Sequence, residues 1–292
     1  GLVLVNVLFN WFIVNLAAGL KIPVIWMIHE SVTFHDQQEQ VPHFSQREYF
    51  RAFGQAAFVV FCSETSQEYY RRLNYRRNFR VIRNALRPGY AAGREDSRER
   101  AAAREKLHIQ PDETVILNVG IIVEHKNQEL LVKAARITGE PGLRYFLVGD
   151  RQSMEYGKKI KKLIASVGLE GKFTVVPETT DTELYYAAAD VFVFTSTSDN
   201  YPLTVLEAMA YGLPIIATPI NGVNEQVRFG INALKADYAD PEALARQIKQ
   251  LAQDRELRRQ MGQSSREIFE SFDSCHTMIG RFDELVKKSL GK

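Results

Sequence analysis

The sequence predicts an α/β protein made of two doubly wound domains with parallel sheets, the first of them incomplete. Three observations predict it. Apolar runs of strand length alternate with helical stretches along almost all of the chain, the pattern of repeated βαβ units with helices on both faces of a parallel sheet. The alternation breaks at ALRPGYAAG, residues 85–93, and then restarts, so the break marks a domain junction. The 292 residues suffice for two domains of ordinary size. The domains read as 1–87 and 88–272, with a C-terminal helix over 273–292 packing back towards the first.

The opening GLVLVNVLFNWFIVNLAAGL is apolar enough to raise a membrane span, which needs about 20 such residues. Asn6, Asn10 and Asn15 interrupt it, and no basic flank precedes it. It reads instead as a buried strand, VLVNVLF, and a short helix, NWFIVNLAAGL, before a second buried strand, KIPVIWMI. Because the chain opens within a strand pattern, further sequence is expected ahead of Gly1. A polar loop follows, then helix SQREYFRAFGQAA, strand FVVFCS, helix TSQEYYRRL and the short strand FRVIRNA. Past the junction, REDSRERAAAREKL is a charged, solvated helix. Alternation then resumes with TVILNVG, NQELLVKAARI, LRYFLVGD, MEYGKKIKKLIASVG, KFTVVP, DTELYYAAAD, VFVFTS, LTVLEAMAYG and PIIAT, and the C-terminal third reads as helical.

Composition narrows the function classes. Hydrophobic residues make up 45% and charged residues 25%, as in a soluble globular protein, and the net charge of +2 gives no electrostatic case for nucleic acid. Cys62 and Cys275 are far apart without metal-like spacing, which suits a reduced cytoplasmic setting and excludes a disulfide framework.

In such sheets ligands bind at the carboxyl ends of the strands, often between domains. SDNYPLTVLEAMAYGLPIIATP, residues 198–219, follows strand VFVFTS. Asp199 and Asn200 are loop and cap residues, Pro202 suits a helix start, and Gly212 and Pro214 mark its end. The amino end of that helix offers free N–H groups and a positive dipole to an anion. Glu207 lies more than a turn inside, flanked by Val205, Leu206, Ala208 and Met209, and a buried carboxylate there needs a partner such as ligand hydroxyls or a base. Spacing alone leaves open that Glu207 is an ordinary solvent-facing residue. His29 ends the apolar strand VIWMI, where it serves either a ligand or a structural hydrogen bond. His35 and His43, in the next loop, have no motif support. Lys126 follows Gly120 and strand TVILNVG. In YYRRLNYRRNFRVIR, Arg71, Arg72, Arg76, Arg77, Arg80 and Arg83 form either a solvated face or a patch for an anionic membrane surface or polyanionic acceptor.

Ser196-x-x-Asp199-Asn-Tyr-Pro-Leu-x-x-Leu-Glu207-Ala-Met-Ala resembles the E-x7-E signature of the retaining GT-B glycosyltransferases of family 4, the group 1 enzymes. VILNVGIIVEHKNQELLVKAA resembles their strand–loop–helix with a diphosphate-binding lysine, and ELYYAAADVFVFTS and ATPINGVNEQVRFGINALKADYADPEALA resemble the segments flanking the signature. FRVIRNAL is similar to their interdomain element, and WMIHES to the strand end that carries an active-site histidine. The resemblance covers nearly the whole chain.

The resemblance implies the GT-B fold, two Rossmann-like domains, with the first lacking its initial strands and glycine-rich loop. It implies transfer of a sugar from a nucleoside-diphosphate donor to an acceptor hydroxyl of unidentified class, with retention by same-face attack. Glu207 then holds the ribose, Asp199 the donor sugar, and Lys126 the departing diphosphate. Backbone around Gly120, Asn200, Tyr201, Pro202, Leu203 and Thr204 cradles sugar and diphosphate, and His29 sits near sugar and acceptor. Domain closure completes the site. No metal or other cofactor is implied, since no Asp-x-Asp pair is present. The expected location is cytoplasmic, with peripheral contact to the inner face of the cell membrane through Arg71–Arg83 as the alternative to a solvated face. Departures are Ile121 where the family has arginine, which Arg151 could replace, Asp199 for glutamate, Pro202 for a glycine, and Pro177 for a glycine near the base. A non-catalytic or degenerate nucleotide-sugar-binding subunit is the alternative. Another GT-B enzyme, such as an epimerase or phosphorylase, is a third reading, and the cofactor lysine of a phosphorylase has no motif here.

Overall fold

The computed structural model describes residues 1–30, 45–90 and 97–291. His35, His43 and the end of the junction loop lie outside the described residues. The chain divides into two units, one of Gly1–Pro88 with Ser198–Pro202 and Asp273–Lys292, the other of Gly89–Thr197 with Leu203–Phe272. Both are α/β with parallel sheets.

The first unit has a four-stranded sheet of order β1-β2-β3-β4, Val3–Asn6, Val24–Ile28, Phe58–Phe61 and Phe79–Val81, all parallel. Each crossover steps in the same direction, and right-handed crossovers then place every connecting helix on one face. That face is aromatic: Trp26, Tyr49, Phe53, Phe61, Tyr70 and Phe79 pack together, with Phe53 and Tyr70 stacked at 5.4 Å. The Trp26 indole N–H donates to Val7 O at 2.9 Å, so its polar end is satisfied in the core. Strand alternation sends Ile25 and Val60 to the other face, which the helix Cys275–Ser289 covers with Leu285, Met278, Phe282 and Val286. The opening apolar run is thus strand, nine-residue helix Trp11–Gly19 and strand. Among the described residues no helix is long and apolar enough to cross a membrane.

The second unit has a six-stranded parallel sheet of order β10-β9-β8-β5-β6-β7. Its strands are β5 Thr114–Val119, β6 Leu143–Asp150, β7 Phe173–Pro177, β8 Val191–Phe194, β9 Ile215–Ala217 and β10 Ala233–Lys235. The winding reverses after β7, so helices cover both faces and two aliphatic clusters form, one around Leu117, Phe192, Val205 and Met209, the other around Leu131, Leu147, Val193 and Ile248. The sequence reading takes this last third as helical, yet Ala233–Lys235 is an edge strand paired to β9. Three residues carry no periodicity to reveal it. The helix Ser97–Lys106 is bolted down by Asp190: Arg100 donates to its Oδ1 at 2.6 Å, Arg104 to its Oδ2 at 3.1 Å, and Val115 N to Oδ2 at 2.8 Å.

Candidate functional site

In the second unit β5 and β8 are neighbours, with Ile116 opposite Val191 and Leu117 opposite Phe192, although β6 and β7 intervene in sequence. The chain leaves β5 towards one side of the sheet and β8 towards the other. The two loops part, and the crevice at the carboxyl ends of such a pair is where open parallel sheets bind ligands. Gly120 ends β5 with φ 152°, and a Cβ there would meet nothing within 4 Å, so this backbone faces open space. Gly149 at the end of β6 has φ 122°, and a Cβ on it would lie 2.4 Å from Gly120 O. Only glycine permits that approach.

From Gly120 the loop runs to a 3-10 turn, Glu124–Lys126, and Asn127 takes a left-handed φ of 53° to enter the helix Gln128–Thr138. Three donors beyond β8 stitch the turn in place. Thr195 Oγ1 donates to Lys126 O at 2.8 Å, Ser196 Oγ to His125 O at 3.0 Å, and Thr197 N to His125 O at 2.7 Å. The Lys126 ammonium stands 5.8 Å over the Phe194 ring. A preplaced cation therefore belongs to the ends of both switch-point strands, where an anionic group would meet it.

The helix Leu203–Ala210 follows β8 through residues 195–202 and carries Glu207 in its second turn. Its end is fixed by Gly212 at φ 66°, with Gly212 N donating to Met209 O at 2.9 Å and Leu213 N to Ala208 O at 3.0 Å. The helix Arg255–Glu270 locks that turn: a Cβ on Gly262 would sit 2.2 Å from Gly212 O, and Ser265 Oγ donates to Leu213 O at 2.7 Å. Val205, Leu206, Ala208 and Met209 are buried, whereas Leu203 is exposed and Thr204 and Glu207 are half-buried. Glu207 is thus neither a free surface acid nor a sealed one. Tyr186 Oη donates to its Oε2 at 2.8 Å. Burial pushes the Glu207 carboxyl above its ordinary range, the Tyr186 hydrogen bond opposes this, and nearby Glu183 adds to it. A carboxylate held this way accepts hydrogen bonds from a neutral polyol and repels a second anion.

The remaining candidate residues fall in the first unit. His29 is exposed at the carboxyl end of β2, its N donating to Glu30 Oε2 at 3.1 Å. Glu30 Oε1 also accepts from Leu8 N at 2.8 Å, so one carboxylate fixes both neighbouring strand ends. Asn200 is buried: its Oδ1 accepts from Ser63 Oγ, and its Nδ2 donates to His29 O at 3.4 Å and Glu30 O at 3.3 Å. Ser63 in turn caps the helix Glu64–Tyr69 through Ser66 N at 3.0 Å. Tyr201 and Pro202 are buried, and Tyr201 O accepts from Asn84 Nδ2 at 3.1 Å. Asp199 lies between Ser198 and Asn200 in the same loop, half-buried. The Asn200 carboxamide organises the backbone that bears His29, a role its place in the motif did not announce.

Arg151 is taken by Glu178 in a bidentate ion pair, with both distances 3.0 Å, instead of standing ready to replace the arginine absent at Ile121. In the arginine run Arg71 pairs with Glu68 at 2.6 Å and Arg83 with Glu64 at 2.8 Å, Arg76 donates to Gly54 O, and Arg80 lies over Phe58. Arg72 and Arg77 are exposed. Among the described residues no group of His, Cys, Asp and Glu is placed as a metal site. Glu30, Tyr186 and Asp190 escape the sequence reading, because their partners are distant in sequence and no spacing marks them.

The profile of the family described as Glycosyl transferases group 1 matches residues 99–268, more than half of the chain. The lipopolysaccharide core biosynthesis glycosyltransferase LpsE of Rhizobium meliloti is 31% identical over 211 residues, 72% of this chain and 55% of that protein. The D-inositol 3-phosphate glycosyltransferase of Geodermatophilus obscurus is 32% identical over 181 residues, 58% of this chain and 40% of that protein. The chain therefore spans about half the length of the curated relatives it matches. In fold it is similar to Anabaena HepE, solved in complex with UDP, with TM-score 0.86 at 19% identity over 98% of this chain and 78% of that one. Sucrose-phosphate synthase from Thermosynechococcus elongatus aligns with TM-score 0.83 at 23% identity over 99% and 74%. With these matches to its sequence and fold, the chain belongs to the glycosyl transferases of group 1.

Proposed function

We propose that this chain acts as a retaining GT-B glycosyltransferase of family 4, moving a sugar from a nucleoside-diphosphate donor to an acceptor hydroxyl. The observation that carries the reading is Glu207: a half-buried carboxylate, oriented by Tyr186, in the helix that follows the switch-point strand β8. Two vicinal ribose hydroxyls are a chemically suitable partner for it. Lys126 and the amino end of Leu203–Ala210, with Gly120 and Thr204 alongside, would hold the diphosphate and stabilise its departure. Asp199 would hold sugar hydroxyls, and His29 would stand near sugar and acceptor. The route is same-face attack assisted by the leaving phosphate, without a metal. HepE was solved with UDP, which makes UDP-sugars the first donors to try. We place the protein in the cytoplasm, with Arg72 and Arg77 available to an anionic membrane.

One observation favours a second reading, a nucleotide-sugar-binding subunit without turnover. Ile121 leaves the diphosphate with one cation from the β5 loop, and Arg151 is engaged by Glu178. Thermal shift of the full-length protein against UDP, GDP, ADP and their glucose conjugates identifies the base. Donor hydrolysis or transfer that disappears in Glu207→Ala and His29→Ala supports the enzyme. Nucleotide binding without turnover in the wild type sinks it in favour of the binding subunit.

A further inference from the structure

We propose that Tyr186 is a positioning residue whose hydroxyl fixes the Glu207 carboxylate for a vicinal diol, so that preference for a ribonucleotide over its 2′-deoxy counterpart depends on a side chain that touches no ligand. The inference rests on the reading of Glu207 as the ribose acceptor.

The geometry is specific. The Tyr186 ring is 1% exposed. It stacks on Tyr211 with centroids 5.6 Å apart and planes at 26°, and lies 5.9 Å from Phe192. Tyr211 is braced edge-on by Tyr90 at 6.0 Å. A ring held on these sides has no alternative rotamer to offer, so its hydroxyl marks a fixed point. That point is 2.8 Å from Glu207 Oε2 and 3.3 Å from Thr204 O. A phenol has one proton, and the carboxylate at the shorter distance takes it, because hydrogen bonds to ions are the stronger ones. Burial, and then the Glu207 carboxylate, push the phenol far above its usual range, so it remains a donor at every working pH.

What this does for Glu207 follows from entropy. An unanchored glutamate on a half-exposed stripe samples several rotamers, and ordering it costs affinity when a ligand arrives. Here Tyr186 orders it in advance. Oε2 is held at 2.8 Å, and a carboxylate with one oxygen so engaged keeps lone pairs on both oxygens for a diol. Glu183 belongs to the same cluster through Tyr211 Oη at 3.4 Å, and its charge adds to the raising of the Glu207 carboxyl. The anchor is thus rigid, apolar around its ring and polar at one atom.

The test is calorimetric binding of UDP, GDP and ADP, each beside its 2′-deoxy counterpart, to the full-length wild type, Tyr186→Phe, Tyr211→Phe, Glu207→Gln and the double variant Tyr186→Phe/Glu207→Gln. The wild type is expected to prefer one ribonucleotide roughly tenfold or more, the scale of one well-placed hydrogen bond. Tyr186→Phe keeps the ring and should lose most of that preference while its affinity for the deoxy counterpart stays unchanged. Tyr211→Phe should retain the preference. The double variant should lose no more than Glu207→Gln alone, which reads the coupling even if Tyr186→Phe melts lower. Tyr186→Phe with the wild-type ratio, or losses that simply add, overturns the role of Tyr186 and leaves the ribose reading standing. A wild type that binds a ribonucleotide and its deoxy counterpart equally, or binds no ribonucleotide, overturns both.

Discussion

The two units solve the same problem, covering both faces of a parallel sheet, in opposite ways. In the second, the reversal of winding at β5 and β8 puts helices on both sides, and its clusters are mainly aliphatic. In the first, every step runs in one direction, the connecting helices share one aromatic face, and the other depends on a helix from the far end of the chain. The reversal that completes the second unit also opens its crevice. The same topological event supplies core and candidate site together.

The contrast is broken most directly at Leu285, which is 5% exposed against Ile25, Val60 and Ile82. Leu285→Asp would set an unpaired carboxylate there, at a cost of roughly 4 kcal/mol or more. Amide exchange should then show strands 24–28 and 58–61 losing protection while 114–119 and 143–150 keep theirs. Equal losses in both sheets would mean that the two faces of the first unit are not independently covered.

Function should divide the other way. Lys126→Ala removes the cation tied to both switch-point strands and is expected to lower donor turnover by about 10²–10³. It removes the contact with Phe194, worth about 0.5–1 kcal/mol at an exposed site, so the second unit should stay folded. Turnover within about threefold of wild type would remove Lys126 from the site. Gly262→Ala tests the support beneath the site. Its new methyl meets Gly212 O at 2.2 Å, and backbone cannot yield cheaply. A loss of about 1–3 kcal/mol, roughly 3–10 °C in melting temperature, is expected. An unchanged melting temperature would show the helix end to be looser than drawn.

The sequence made the strands and most helices legible because each is long enough to show its period, as in LRYFLVGD and NQELLVKAARI. Ala233–Lys235 was not, being three residues at a sheet edge. Within the site, Lys126 and Glu207 are marked by what precedes and flanks them. The Tyr186 that orients Glu207 and the Glu30 that holds His29 N and Leu8 N are not marked. The first needs a contact across 21 positions and the second across 22, and no local rule carries that distance.

The smallest effect is the most discriminating. Glu207 is raised by burial first, with Glu183 adding to it and the Tyr186 donation opposing. A carboxyl raised in the folded state binds its proton more tightly there than in the unfolded chain. Its stabilising share is complete below the ordinary carboxylate value and is lost as pH rises through the raised one. Glu207→Gln, neutral throughout, should therefore melt higher than wild type at pH 7. The difference should close as pH falls through the raised value to below the ordinary carboxylate range, where folded and unfolded chains both carry the proton. Gln keeps an acceptor for Tyr186, so the comparison isolates the charge. If Gln lowers the melting temperature at pH 7, or the difference does not close in acid, the ionised carboxylate is held by more than Tyr186. The second unit would then keep its acid for stability instead of keeping it, at a cost in stability, for a ligand.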